Sequence, residues 1–143
     1  YATQLTKLTS LVDFIWQKAA ALGLANRIFM RIYSEFGRTV LNTGNGKDHL
    51  PAGGTMIFME AAPVWGNRVV GATGPRHESL KINVNTGAVD AVGGVTITPR
   101  HVHAAMRKYL GITTDDPRFN LKVPDVEKFD FFNPALKTGY PNV

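Results

Sequence analysis

The chain has 143 residues, of which 44% are hydrophobic and 19% are charged. This length suits one domain with a hydrophobic core, and the composition is that of a folded protein. Sixteen Lys and Arg against eleven Asp and Glu give a net charge of +5. The basic residues are scattered, whereas nucleic-acid-binding proteins concentrate them in a patch, so we expect no nucleic-acid partner. The absence of cysteine excludes disulfides and thiolate metal sites, and no apolar run approaches the ~20 residues of a membrane span.

The first predicted elements are a helix and a buried strand. Apolar residues between positions 5 and 22 follow one another at steps of three and four, which is one face of a helix. Gly23 is a typical residue at a helix end. Residues 27–33 are apolar on both faces, as in an interior strand covered by helices. A helix followed by such a strand is the second half of a βαβ unit, whose first strand we expect before Tyr1.

The middle of the chain is predicted to contain a loop and several short strands. Residues 42–54 are rich in glycine, which predicts a loop. Residues 55–59 are a second apolar run, which predicts a further interior strand. Residues 68–71 are predicted to form another short strand. Alternation in residues 80–85, followed by a turn, predicts a β-hairpin that returns along residues 88–91.

A second helix is predicted to begin at Thr98-Pro99 and to end at Gly111, because a hydroxyl N-cap followed by proline is a typical helix start. Residues 113–143 form an aromatic, proline-containing tail that we expect to wrap over the domain or to reach a neighbour. The predicted fold is therefore α/β over residues 1–112, with a partial, mostly parallel sheet flanked by helices and a β-hairpin excursion.

Potential functional side chains are concentrated in residues 34–49, where the predicted strand leads into the glycine-rich loop. In open α/β sheets, ligands bind outside the carboxyl ends of the strands. Arg38 could bind a phosphate or sulfate group through its planar guanidinium. Alternatively, Glu35 and Arg38 could form a surface ion pair that contributes about 0–1 kcal/mol, or they could hold the backbone of the loop. Asp48 and His49 could ligate a metal, but an ordinary hydrogen-bonded pair explains their spacing equally well.

No catalytic nucleophile is predicted in the chain. Ser34 lacks the G-x-S-x-G elbow of a serine nucleophile, and we expect its hydroxyl to cap the turn instead. The glycine-rich loop lacks the arrangement of a P-loop. His101 and His103 are two residues apart, so a helix would direct them away from each other.

The order of these motifs resembles a known family. SEFGRT after a strand, a glycine-rich loop with GKDHLP, an apolar strand, WGNRVVGAT and finally ITPRHVHAAMRKYLGI are similar to the C-terminal half of the bacterial domain-of-unknown-function family 1501. Those proteins are generally exported and are related to the alkaline phosphatase and sulfatase superfamily. The likeness spans roughly residues 5–112.

The resemblance implies a periplasmic or extracellular protein whose relatives hold divalent metals (zinc, manganese or calcium) at the strand ends. Glu35 lies where the superfamily places a metal-binding Asp-His pair, and Phe36 stands in place of the histidine. His49 matches a late metal-binding histidine, with Asp48 as a further ligand or as the carboxylate that orients it. We therefore expect Glu35, Asp48 and His49 to converge in one strand-end pocket, with Arg38 beside them as the substrate-binding residue.

Two functions of different classes follow. The first is the C-terminal portion of a metal-dependent phosphate or sulfate ester hydrolase. Its nucleophile would lie in an N-terminal half, so this portion alone is expected to be inactive. The second is a non-catalytic structural or interaction subunit of a larger assembly that retains the same scaffold. Either way, the expected partner is the remainder of the polypeptide or another protein subunit, because an incomplete sheet exposes apolar faces and a strand edge.

Overall fold

A computed structural model describes residues 2–42, 44–50, 54–112 and 129–135. Its secondary structure is mixed α/β. The elements are α1 (Ala2–Ala21), a 3-10 turn (Ala25–Arg27), β1 (Met30–Tyr33), β2 (Gly37–Asn42), β3 (Lys47–Leu50), β4 (Met56–Met59), β5 (Lys81–Ile82), β6 (Val95–Thr96) and α2 (Pro99–Tyr109). The chain divides into two compact units, which are Tyr1–Tyr33 with Met56–Pro63 (unit 1) and Ser34–Thr55 with Val64–Val143 (unit 2).

Helix α1 of unit 1 ends where the sequence predicts. Gly23 adopts a left-handed backbone with φ +68°, which an L side chain disfavours. The N–H of Leu24 donates to the carbonyl of Ala19 at 2.8 Å, and the N–H of Gly23 donates to that of Ala20 at 3.0 Å. These two bonds form the Schellman motif, which satisfies carbonyls that the helix itself leaves unpaired.

The apolar face that the sequence pattern assigns to a core is exposed only in the first half of α1. Leu5 is 61% exposed and Leu8 is 37% exposed, whereas Val12 and Ile15 of the same face are half-buried. Leu11 and Phe14, which lie outside this face, are 55% and 54% exposed. Ala19 is the one residue of α1 that is buried. Within the described ranges, no helix is both long and apolar enough to cross a membrane.

Strands β1 and β4 of unit 1 pair in antiparallel register, with Met30 opposite Met59 and Tyr33 opposite Met56. Every strand pair among the described residues is antiparallel, so the prediction of a mostly parallel sheet is not supported. An apolar run of four to seven residues looks the same in either orientation. The predicted strand also starts late, because Ala25–Arg27 form the 3-10 turn.

The glycine-rich segment of unit 2 contains a β-hairpin rather than an open loop. Strand β3 lies inside the predicted loop and pairs with β2, with Gly37 opposite Leu50 and an irregularity between Arg38 and Asn42. Gly44 and Gly46 have φ values of +96° and +107°. The glycines thus make the turn of a hairpin, in the backbone region where glycine is favoured.

The predicted hairpin at residues 80–91 is present in part. Ile82 forms an isolated antiparallel bridge with Val89, but its main partner is Val95, through the pairing of β5 with β6. Ile82 is only 1% exposed, so the residue that contacts both segments is part of the core of unit 2. No strand forms at residues 68–71, where one was predicted.

The Asp90 carboxylate holds the turn that leads into β6. Its Oδ1 accepts hydrogen bonds from the backbone N–H groups of Gly93 at 2.8 Å and Val92 at 3.1 Å. Its Oδ2 accepts one from the Asn83 side chain at 3.1 Å. The bond from Gly93, followed by that from Asn83, lowers the pKa of Asp90 below its ordinary value of 3.8, because these donors favour the charged form.

Helix α2 begins and ends as predicted, with Thr98 as the N-cap and Pro99 in the first turn. The N–H of Thr98 donates to Nδ1 of His101 at 3.0 Å, so this histidine takes the place that glutamate or glutamine has in a capping box. At the other end Gly111 has φ +72°, and the N–H of Ile112 donates to the carbonyl of Arg107 at 2.8 Å.

An aromatic cluster forms the core of unit 2. Trp65, Tyr109 and Phe132 contact one another, with centroid distances of 4.5 Å for the stacked pair Tyr109–Phe132 and 5.1 Å for the edge-on pair Trp65–Phe132. Phe129 stacks on Phe131 at 5.2 Å and meets the ring of His101 edge-on at 5.1 Å. Such pairs add about 0.5–1.5 kcal/mol to the burial of their area.

The described part of the predicted tail, residues 129–135, is therefore packed into unit 2. Arg68 donates hydrogen bonds to the backbone carbonyls of Phe131 and Asn133, and Lys108 forms an ion pair with Asp130 at 3.0 Å. Burial lowers the pKa of Arg68, and the Asp130 carboxylate opposes this shift. The rest of the predicted tail, residues 113–128 and 136–143, lies outside the described residues.

Replacing Phe129 with alanine should strongly destabilise unit 2. The ring is 1% exposed, and truncation of a fully buried phenylalanine costs about 3–5 kcal/mol. The measurement is the free energy of unfolding in urea. Val92→Ala is the matched control, since Val92 is 95% exposed and its change should be within about 0.5 kcal/mol. A loss for Phe129→Ala as small as that of the control would contradict the aromatic core.

The Asp90 turn should make stability depend on acid. The lowered pKa of Asp90 means that its carboxylate stabilises the folded state above pH of about 4 and loses this effect as pH falls through the folded-state pKa. Asp90→Asn should therefore be less stable than the wild type at pH of about 6, and the difference should shrink toward pH of about 2. Urea unfolding at several pH values measures it.

Candidate functional site

All four residues that the sequence assigns to a site lie in the Ser34–Thr55 segment of unit 2. Arg38 and His49 are direct partners in the antiparallel register of β2 and β3. Residues opposite each other in such a pair have their Cβ atoms about 4.5–5.5 Å apart and share a face. The hairpin therefore brings together one cation and one imidazole from positions eleven residues apart.

Phe36 contacts both of these side chains. The Arg38 guanidinium lies over the Phe36 ring at 4.8 Å from its centroid, and the His49 ring has its centroid 3.9 Å from that of Phe36 with a tilt of 45°. The Arg38 Nη1 also donates to the backbone carbonyl of Lys47 at 3.1 Å. We call Phe36, Arg38 and His49 the hairpin triad.

Asp48 is not part of the hairpin triad. Adjacent residues of a strand point to opposite faces, so Asp48 and His49 face different sides of the hairpin. The backbone N–H of Asp48 donates to Oγ1 of Thr39 at 3.0 Å, and its Oδ1 accepts from the N–H of His49 at 2.7 Å. The Asp48 carboxylate thus stabilises the local backbone and does not orient the imidazole ring in this arrangement.

Glu35 lies at the bend that precedes β2, and its side chain is exposed. The Ser34 hydroxyl donates to the carbonyl of Phe36 at 3.3 Å, so it holds the bend as expected. Glu35 does not form the predicted ion pair with Arg38, whose Nη1 donates to the backbone of the hairpin instead.

No group of three or more His, Cys, Asp or Glu residues suited to a metal occurs in the described part of the chain. This finding speaks neither for nor against a metal in the protein. Glu35, Asp48 and His49 as metal ligands, with zinc, manganese or calcium as the ion, therefore stay a prediction.

The role of Phe36 was missed by the sequence reasoning. There Phe36 appeared only as a departure from a metal-binding pattern, because phenylalanine cannot ligate. Phe36 comes directly before β2, which begins at Gly37, so the alternation of side chains along a strand does not predict its contacts. The sequence contains no signal from which the contacts of Phe36 with Arg38 and His49 could be predicted.

The remaining described histidines lie apart from the hairpin triad. His101 is buried and caps α2, while His103 is exposed on the same helix. His77 is exposed in a short turn and has a left-handed backbone, with φ +64°. None of the three was assigned to a site, and these placements give no reason to add one.

Comparison with known proteins does not assign the chain to a family. The sequence matches no protein-family model, and neither a curated protein nor a solved structure is detectably similar to it. The resemblance to the family 1501 proteins and to the alkaline phosphatase superfamily therefore stays a prediction.

Proposed function

We propose that the chain is the C-terminal portion of an exported alkaline-phosphatase/sulfatase-like protein, and that it binds the anionic group of a phosphate or sulfate ester. The observation that carries this proposal is the hairpin triad, in which Arg38 and His49 are register partners on one face of a hairpin. A planar guanidinium matches the oxygens of a phosphate or sulfate group. A periplasmic or extracellular location follows from the same resemblance.

On this proposal the chain binds and orients the ester but does not cleave it alone. The hairpin triad contains no hydroxyl or thiol nucleophile, and Ser34 is engaged with the backbone of the bend. Ester hydrolysis needs an activated nucleophile and stabilisation of the charge that develops. We place the nucleophile on another segment, either of the same polypeptide or of a second subunit. The divalent metal that the resemblance implies would also take ligands from there.

A second candidate function is a non-catalytic interaction subunit. The observation that favours it is the exposed apolar stripe of α1, formed by Leu5, Leu8, Leu11 and Phe14, which are between 37% and 61% exposed. Several large apolar side chains exposed on one helix are unfavourable in water and are typical of a surface that contacts another protein. The first candidate function also requires this surface, for contact with the segment that carries the nucleophile. Activity of the assembled protein therefore distinguishes the two candidate functions.

The purified chain should not hydrolyse aryl phosphates or sulfates. The expected result is no turnover of p-nitrophenyl phosphate or p-nitrophenyl sulfate above the buffer rate, with zinc, manganese or calcium added in separate reactions. A metal-dependent rate that survives repurification and disappears in Arg38→Gln would contradict the assignment of the nucleophile to another segment.

The apolar stripe of α1 should make the isolated chain self-associate. Light scattering should detect oligomers, and Leu5→Lys/Leu11→Lys should reduce them because the two charges lie in the stripe. The matched control is Thr6→Lys/Ser10→Lys, which adds the same charge on the polar side of the same helix. Equal association of the two variants, or a monomeric wild type at high concentration, would contradict a surface that needs a partner.

A further inference from the structure

We propose that Phe36 is a positioning residue, which holds Arg38 and His49 as two hydrogen-bond donors for one tetrahedral oxyanion. The inference rests on the proposed function and deepens it, because it assigns His49 to the anion and not to a metal. The ligand class is a phosphate or sulfate group carried by an ester. The ring of Phe36 orders two exposed side chains.

Arg38 is exposed, and an unrestrained arginine loses much rotamer entropy on binding. Two contacts restrict it before a ligand arrives. The guanidinium lies over the Phe36 ring at 4.8 Å, a cation–π contact, and Nη1 donates to Lys47 O at 3.1 Å. A guanidinium has five N–H donors, and this bond uses one of them, so further donors are available to a ligand.

His49 is restricted by the same ring. Its centroid lies 3.9 Å from that of Phe36, which is shorter than the 4.5–7 Å usual for aromatic pairs. An imidazole carries at least one N–H donor in every protonation state, so the contribution of His49 does not require it to be charged. Since Arg38 and His49 are register partners, their donors can reach different oxygens of one anion.

The charge on this face also favours an anion over a metal cation. Lys47 and His49 are two residues apart on β3 and so share a face, which adds a second cation to that face. The nearest carboxylate along β3 belongs to Asp48, which faces the other side and accepts the N–H of His49. A divalent cation at His49 would meet the repulsion of Arg38, whereas a phosphate or sulfate group would be attracted by it.

The test is a titration of the isotopically labelled chain with inorganic phosphate and with phenyl phosphate, followed by NMR at constant ionic strength. Signals of the His49 ring and of the Arg38 side chain should shift together with one dissociation constant in the millimolar range. Tighter binding of phenyl phosphate than of inorganic phosphate would assign the site to an ester, and the reverse would assign it to the free ion. Absence of saturable shifts in the hairpin with both probes would overturn the proposal.

Phe36→Leu should weaken phosphate binding about tenfold, because Arg38 and His49 lose the ring that orders them. Phe36→Tyr should bind phosphate as the wild type does, because the ring is kept. Arg38→Gln should abolish the shifts. Val40→Ala is the matched control on β2, since Val40 is exposed. The indole signal of Trp65 reports whether each variant keeps the core of unit 2. A folded Phe36→Leu that binds as the wild type does, or a Phe36→Tyr that fails to restore binding, would overturn the positioning role.

The outcome is separable from that of the proposed function. Turnover by the isolated chain would overturn the assignment of the nucleophile to another segment while leaving the phosphate titration unaffected. A wild type that shows no titration would overturn both the anion binding of the proposed function and the positioning role. A wild type that titrates, together with a Phe36→Leu that titrates equally well, would overturn the positioning role alone.

Discussion

Packing of aromatic rings from three distant parts of the chain holds unit 2 together. Trp65 comes from the segment before β5, Tyr109 from the end of α2, and Phe132 from residues near the C-terminus. These contacts close loops of about 20 to 70 residues, so their formation costs chain entropy that the burial of the rings must offset. The polar contacts of the last segment, through Arg68 and Lys108, fix its position but bury little apolar area.

Unit 1 has no comparable core among its described residues. Phe29 and Phe58 pack at 5.7 Å across the two-stranded β1–β4 ladder, and a ladder of two strands is at best marginally stable by itself. Helix α1 buries Ala19 and leaves most of its large apolar side chains exposed. Unit 1 therefore exposes apolar surface that a partner could cover, whereas the hairpin triad lies in unit 2.

Helix termini could be predicted from the sequence because their signals are local. Gly23, Thr98-Pro99 and Gly111 act through their own backbone preferences and need no distant partner. The direction of strand pairing could not be predicted, since the apolar run of β1 is compatible with parallel and antiparallel partners. Strand β3 was missed because a glycine-rich hairpin turn has the composition of a loop.

The sequence assigns its candidate site residues to one stretch of chain, residues 34–49, and this assignment stays a prediction. Which of those side chains meet depends on the register of β2 and β3, including the irregularity between Arg38 and Asn42. A shift of one residue would place Asp48 opposite Arg38 and remove His49 from that face. Spacing along the sequence contains no information about such a shift, so Asp48 and His49 looked equivalent although they face opposite sides.

Arg68 binds the main chain of residues 129–135, because it donates hydrogen bonds to the carbonyl oxygens of Phe131 and Asn133. Carbonyl oxygens are present whatever side chain a residue carries. Substitution of the exposed Asn133 would therefore leave the hydrogen bond from Arg68 in place. Substitution of Arg68 would remove it, because no shorter side chain has the same planar set of donors. In a set of related sequences we therefore expect position 133 to vary and position 68 to remain arginine.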